Sequence, residues 1–192
     1  MERAKVAWSE HVILIDTEFL DALLLDFVKN FGKMLNRPIG KLNLCHWLDC
    51  LLLDASIEAG EHDNFVAFLH PMSSKGLQWA EPGNFQKDLT EKAFQDRLGE
   101  FTLSSIPIEK MVSRGEFMTE ALKAAMDSET TRQILVVGDF ASYGEEICMA
   151  AREESSATVT LFGMAPLPEG KYKQQILGYS VMSGLGIRAD EL

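Results

Sequence analysis

Cysteine is scarce in this chain. Cys45, Cys50 and Cys148 are three among 192 residues and lie in apolar periodic segments, which argues against a disulfide framework and fits a reducing, cytoplasmic compartment. Positive charge is also in short supply. Eighteen Lys and Arg face 29 Asp and Glu, a net charge of −11, and such a chain repels a polyanion at long range. Loose, charge-driven nucleic-acid binding is therefore not expected, whereas a divalent cation, a cationic partner, or RNA gripped only through a metal stays compatible. Long apolar runs are missing as well. Asp21 and Asp26 interrupt the most hydrophobic stretch, and Met1-Glu2-Arg3-Ala4-Lys5 leads into Val6-Ala7-Trp8 without the apolar core of a signal peptide, so neither membrane nor secretion is expected. The closing Ala189-Asp190-Glu191-Leu192 only imitates a retention signal, which has meaning in a chain that enters that compartment.

Several chemical signatures are absent too. No G-x-x-x-x-G-K-[ST] occurs, and Gly184-Leu185-Gly186 lacks the strand before it and the helix after it that a dinucleotide loop needs, so no nucleotide cofactor is expected. There is no G-x-S-x-G elbow, and His11, His46, His62 and His70 show no triad spacing. Cys45 and His46 are helix neighbours pointing about 100° apart with no second ligand pair, so zinc is not expected.

What remains is a core-forming composition, 46% apolar and 24% charged, enough for one domain over residues 1–192 that folds unaided or as a homo-oligomer. His11-Val12-Ile13-Leu14-Ile15 is a nearly continuous β-branched run ending at Asp16, the pattern of a strand buried on both faces. Leu20, Leu23, Leu24, Phe27, Val28, Phe31 and Leu35 then recur at helical spacing, and Leu44 to Ala55 gives a second helix that Gly60 can stop. Strands follow at 64–69, 101–106, 133–137 and 158–162, with a helix over 117–126 between the middle two. Residues 70–100 form an irregular excursion with a short helix expected around Leu89 to Leu98, and 171–192 a C-terminal helix and tail. Strands alternating with helices predict an α/β fold with a mainly parallel five-stranded sheet in a three-layer, Rossmann-like α/β/α arrangement.

Binding and catalysis in such sheets collect at the C-terminal strand ends, where Asp16 and Asp139 sit. Adjacent strands lie about 4.8 Å apart, so two such carboxylates on neighbouring strands can share one small cation, and oxygen-only ligation favours Mg²⁺ or Mn²⁺. Asp16 has two open readings, ligand or N-cap of the helix behind it. For Asp139 the cap is expected elsewhere, because Ser142 followed by Glu145 matches a capping box. Glu18, Glu116 and Glu120 either complete an acidic cup or lie on solvated helix faces.

At Ile13-Leu14-Ile15-Asp16-Thr17-Glu18-Phe19 and Leu135-Val136-Val137-Gly138-Asp139-Phe140 the chain resembles the NYN branch of the PIN-like domains, and Ser113-Arg114-Gly115-Glu116-Phe117 looks like that family's basic-Gly-acidic stretch. The chain as a whole has the look of a bacterial protein. The resemblance implies strand order 3-2-1-4-5, with the Asp16 and Asp139 strands side by side. It also implies a Mg²⁺- or Mn²⁺-dependent ribonuclease with Asp16, Glu116 and Asp139 as metal ligands and catalytic residues. Where the family carries a second Asp shortly after the Asp139 position, this chain has Ala141 and Ser142. That departure supports the other reading, a catalytically inactive PIN-like binding or oligomerisation module.

Overall fold

The computed structural model describes residues 8–192; residues 1–7, on which the expected absence of a leader partly rests, lie outside the described residues. In chain order the elements are β1 (His11–Asp16), α1 (Thr17–Met34), β2 (Leu42–Asn43), α2 (Leu44–Asp54), β3 (Asp63–Pro71) and β4 (Ala80–Glu81). These lead into α3 (Phe85–Asp88), β5 (Lys92–Asp96), β6 (Gly99–Ile108), α4 (Arg114–Met126), β7 (Gln133–Val137) and α5 (Phe140–Ala150). β8 (Thr158–Gly163), β9 (Lys173–Ile176), α6 (Gly178–Gly184) and a 3₁₀ turn at Ala189–Glu191 complete the chain.

One sheet runs in the order β5-β6-β3-β1-β7-β8-β9, parallel throughout except for the β5–β6 hairpin. The five expected strands are present and in the implied order, but the sheet has seven strands, not five. The two additional strands are its edges. β5 and β9 replace expected helix: Leu89 to Leu98 holds β5, and the segment from Lys171 begins with β9 before α6. Both carry polar, exposed side chains, as edge strands do, so neither shows the apolar alternation by which a strand is recognised. The hairpin closes because the Asp96 carboxylate accepts from the Leu98 amide at 2.7 Å and Gly99 takes the left-handed φ of 104°, and the lack of a Cβ on Gly99 lets its backbone pass against the His62 carbonyl. Across the pair, Phe94 stacks on Phe101 with ring centroids 4.5 Å apart.

β1 is buried along its whole length, which explains its unbroken apolar run. Its alternate side chains serve different cores. Ile13 and Ile15 join Leu20 and Leu24 of α1 and Trp47 and Leu48 of α2, whereas Val12 and Leu14 join Met118 and Leu122 of α4 and Ile147 of α5. The chain leaves β1 for β3 on one side and returns to β7 on the other, so the winding reverses between β1 and β7. That is where an open α/β sheet presents a crevice beyond its strand ends.

Candidate functional site at the acidic strand ends

Asp16 closes β1 with an extended backbone (φ −75°, ψ 104°), and its Oδ1 accepts the Phe19 amide at 3.1 Å, capping α1. The cap reading is therefore met. The same carboxylate does more. Its side chain is 3% exposed, and its oxygens also receive Arg114 Nη1 at 3.1 and 2.9 Å and the Tyr143 hydroxyl at 2.6 Å. A buried carboxylate needs such donors, because leaving its charge unpaired in the interior costs several kcal/mol, on the order of 3–5.

Arg114 opens α4. A cation there opposes the helix dipole, so its place is set by the acids around it. Each guanidinium nitrogen meets a different carboxylate: Nη1 Asp16 at 2.9 Å, Nε Glu18 at 3.3 Å and Nη2 Asp139 at 3.5 Å. Burial works against its charge, but the Asp16 carboxylate and then Glu18 outweigh it and hold the guanidinium above its ordinary range.

Tyr143 completes the core of the site. It departs from helical geometry inside α5 (φ −134°, ψ 25°), and its ring is buried near Gly115 and Gly138. A Cβ on Gly115 would lie 2.7 Å from that of Tyr143, and one on Gly138 would lie 2.5 Å from its hydroxyl oxygen. The hydroxyl accepts the Asp139 amide at 3.1 Å while donating to Asp16, linking the ends of β1 and β7. Burial first, and then the Asp16 charge, raise the phenol well above its usual range, so it stays a donor.

Asp139 stands at the N-cap position of α5 without a side-chain cap, and its Oδ2 accepts the Ser142 hydroxyl at 2.7 Å. The expected Ser142–Glu145 capping box does not form, since Ser142 lies within the helix. The box forms instead at Ser113 and Glu116, which match the same pattern one helix earlier. Ser113 has the extended backbone a cap requires (φ −73°, ψ 157°), its Oγ accepts the Glu116 amide at 3.2 Å, and Glu116 accepts the Ser113 amide at 2.9 Å. Those hydrogen bonds lower the Glu116 pKa. Glu116 is thus exposed and engaged in a cap, while Asp16, Glu18 and Asp139 gather around Arg114. Glu120 lines, with Glu116, Arg114 and Tyr143, an open cleft of about 660 Å³ beside α4.

The expected Mg²⁺ or Mn²⁺ does not fit this arrangement. Both Asp16 oxygens already have donors, and the position among the three carboxylates is taken by a guanidinium. Among the described residues, a group of three side chains whose ligand atoms lie within 4.8 Å of one another occurs elsewhere, as Glu10, His11 and His62 near the opposite ends of β1 and β3, and it could hold a metal ion. Sequence spacing gives no sign of that group. The parallel register that sets His11 opposite Asn64 brings the segment before β3 beside the start of β1.

Fold and site together define an α/β protein with a mainly parallel sheet whose acidic strand ends are closed by an arginine. The chain belongs to DUF6621, a family of unknown function, whose model matches residues 5–192. No curated protein and no solved structure matches it.

Proposed function

We propose that this protein is a catalytically inactive binding module of PIN-like type, in which an arginine has taken the place of the catalytic metal. The expected strand order, and apolar clusters shared between alternate β1 residues and different helices, support reading the fold as a three-layer relative of PIN-like domains. The observation that carries the functional reading is the division of Arg114 among Asp16, Glu18 and Asp139. A guanidinium neutralises clustered carboxylates as a divalent ion does, but it has no open coordination position and activates no water. Ser142 adds to this, because a hydroxyl donor sits on Asp139 near where the family would supply a further acceptor. Glu116 serves its own helix.

Incubation with labelled single-stranded RNA and Mg²⁺ or Mn²⁺ tests the proposal. The RNA is expected to stay intact. Cleavage that Asp139→Asn abolishes would establish the ribonuclease reading in its place.

A further inference from the structure

We propose that Glu10, His11 and His62 form a binding site for a zinc-class divalent cation at the end of the sheet opposite Asp16. The tautomers of both histidines are set by their hydrogen-bond partners. His11 is 3% exposed, and its Nδ1 lies 2.8 Å from Asn64 Oδ1. The orientation of that amide is fixed, because Asn64 Nδ2 donates to the carbonyls of Leu98 and Glu100 at 3.0 and 3.2 Å. Oδ1 is therefore an acceptor, and Nδ1 of His11 carries the hydrogen. In the neutral ring Nε2 is left with a bare lone pair.

His62 is fixed in the opposite sense. Its Nε2 lies 3.0 Å from the Glu58 carbonyl, which can only accept, so in the neutral ring the hydrogen sits on Nε2 and the lone pair on Nδ1, 3.3 and 3.4 Å from the two Glu10 oxygens. Both lone pairs face the Glu10 carboxylate: His11 Nε2 is 3.5 Å and His62 Nδ1 3.3 Å from Oε1. With neutral rings, two imidazole lone pairs and a carboxylate converge with no hydrogen among them. That arrangement is repulsive by itself and attractive around a cation.

The spacing suits a small tetrahedral ion. Nitrogen and oxygen ligands about 2.0–2.1 Å from zinc lie roughly 3.3 Å from one another, close to both distances measured from Glu10. Neutral imidazole is the ligating form, and the hydrogen bonds to Asn64 and to the Glu58 carbonyl leave the ring nitrogens nearest Glu10 free to ligate in that form. The second hydrogen bond on each ring, to Asn64 and to the Glu58 carbonyl, is the outer support that metal-ligating histidines have. Two imidazoles with one carboxylate select zinc-class ions over Mg²⁺, and partly exposed Glu10 and His62 side chains leave a fourth position for water.

The test uses the full chain stripped with a chelator and then titrated with Zn²⁺, Co²⁺ or Mg²⁺. One Zn²⁺ per chain is expected, with a rise in Tm that chelator reverses and Mg²⁺ does not reproduce. Co²⁺ is expected to give the visible absorption of a tetrahedral site. Glu10→Gln and His62→Ala, both at partly exposed positions, are each expected to weaken Zn²⁺ binding about tenfold or more. Absence of a zinc effect, or binding of equal strength in both variants, overturns the proposal. In the first outcome protons rather than a metal would join the three side chains. Asp16 and Arg114 take no part in this experiment, so its result is independent of the fate of the inactive-module reading.

Discussion

Arg114 shows how much one side chain can decide. Truncating Arg114→Ala leaves the Asp16 carboxylate buried with only the tyrosine and the α1 amide as donors, and a loss of about 3 kcal/mol in urea denaturation is expected. Tyr143→Phe removes the hydroxyl that joins the ends of β1 and β7, and about 2 kcal/mol is expected to be lost in the same measurement. A second residue sets a pH dependence. Burial, and then the neighbouring Asp96 carboxylate, push Asp49 up to about 7, and its Oδ1 is buried without a partner. The folded state thus holds that proton more tightly than the unfolded chain, whose value is near 3.8. Its stabilising contribution is full below about pH 4 and is lost as pH rises through about 7. Urea midpoints between pH 5.5 and 8 are expected to fall in the wild type and to fall less in Asp49→Asn. Asp16 and Asp139 were legible in the sequence because each ends an apolar run. Arg114 and Tyr143 were not assigned to the site, since they reach Asp16 from 98 and 127 residues away and no local pattern encodes that approach.

At the level of elements, the buried strands were readable and the edge strands were not. β1 and β7 lie between packed neighbours and so are apolar, whereas β5 and β9 expose polar side chains and are recognisable only through their partners. The two S-x-x-E matches make the same point for helices. Sequence alone cannot rank them, because the backbone of the serine decides which becomes a cap. Ser113→Ala is expected to cost about 1 kcal/mol through the lost start of α4, measured by thermal unfolding. Ser142→Ala is expected to cost less, since it removes a hydrogen bond to a partly exposed Asp139 and no helix cap.

Across the whole molecule, β1 carries a charged cluster near each end. Arg114 closes the acidic one, and Glu10 with two histidines forms the other. Five intervening residue steps at about 3.3 Å separate them by roughly 16 Å, so Arg114→Ala and His62→Ala are expected to add in unfolding free energy within about 0.5 kcal/mol. The order of the five inner strands was expected from resemblance and is present in the sheet. The filling of the strand-end crevice was not legible, because it depends on where α4 starts relative to two distant strand ends. Whether Arg114 stands in for a metal ion is read from thermal unfolding of the wild type and Arg114→Ala with and without Mg²⁺. The wild type is expected to be unmoved. Arg114→Ala, with its carboxylates left without their cation, is expected to be destabilised and partly restored by Mg²⁺. A wild-type Tm that rises with Mg²⁺ and no longer does so in Asp16→Asn would show that the carboxylates hold a metal ion and not Arg114 alone.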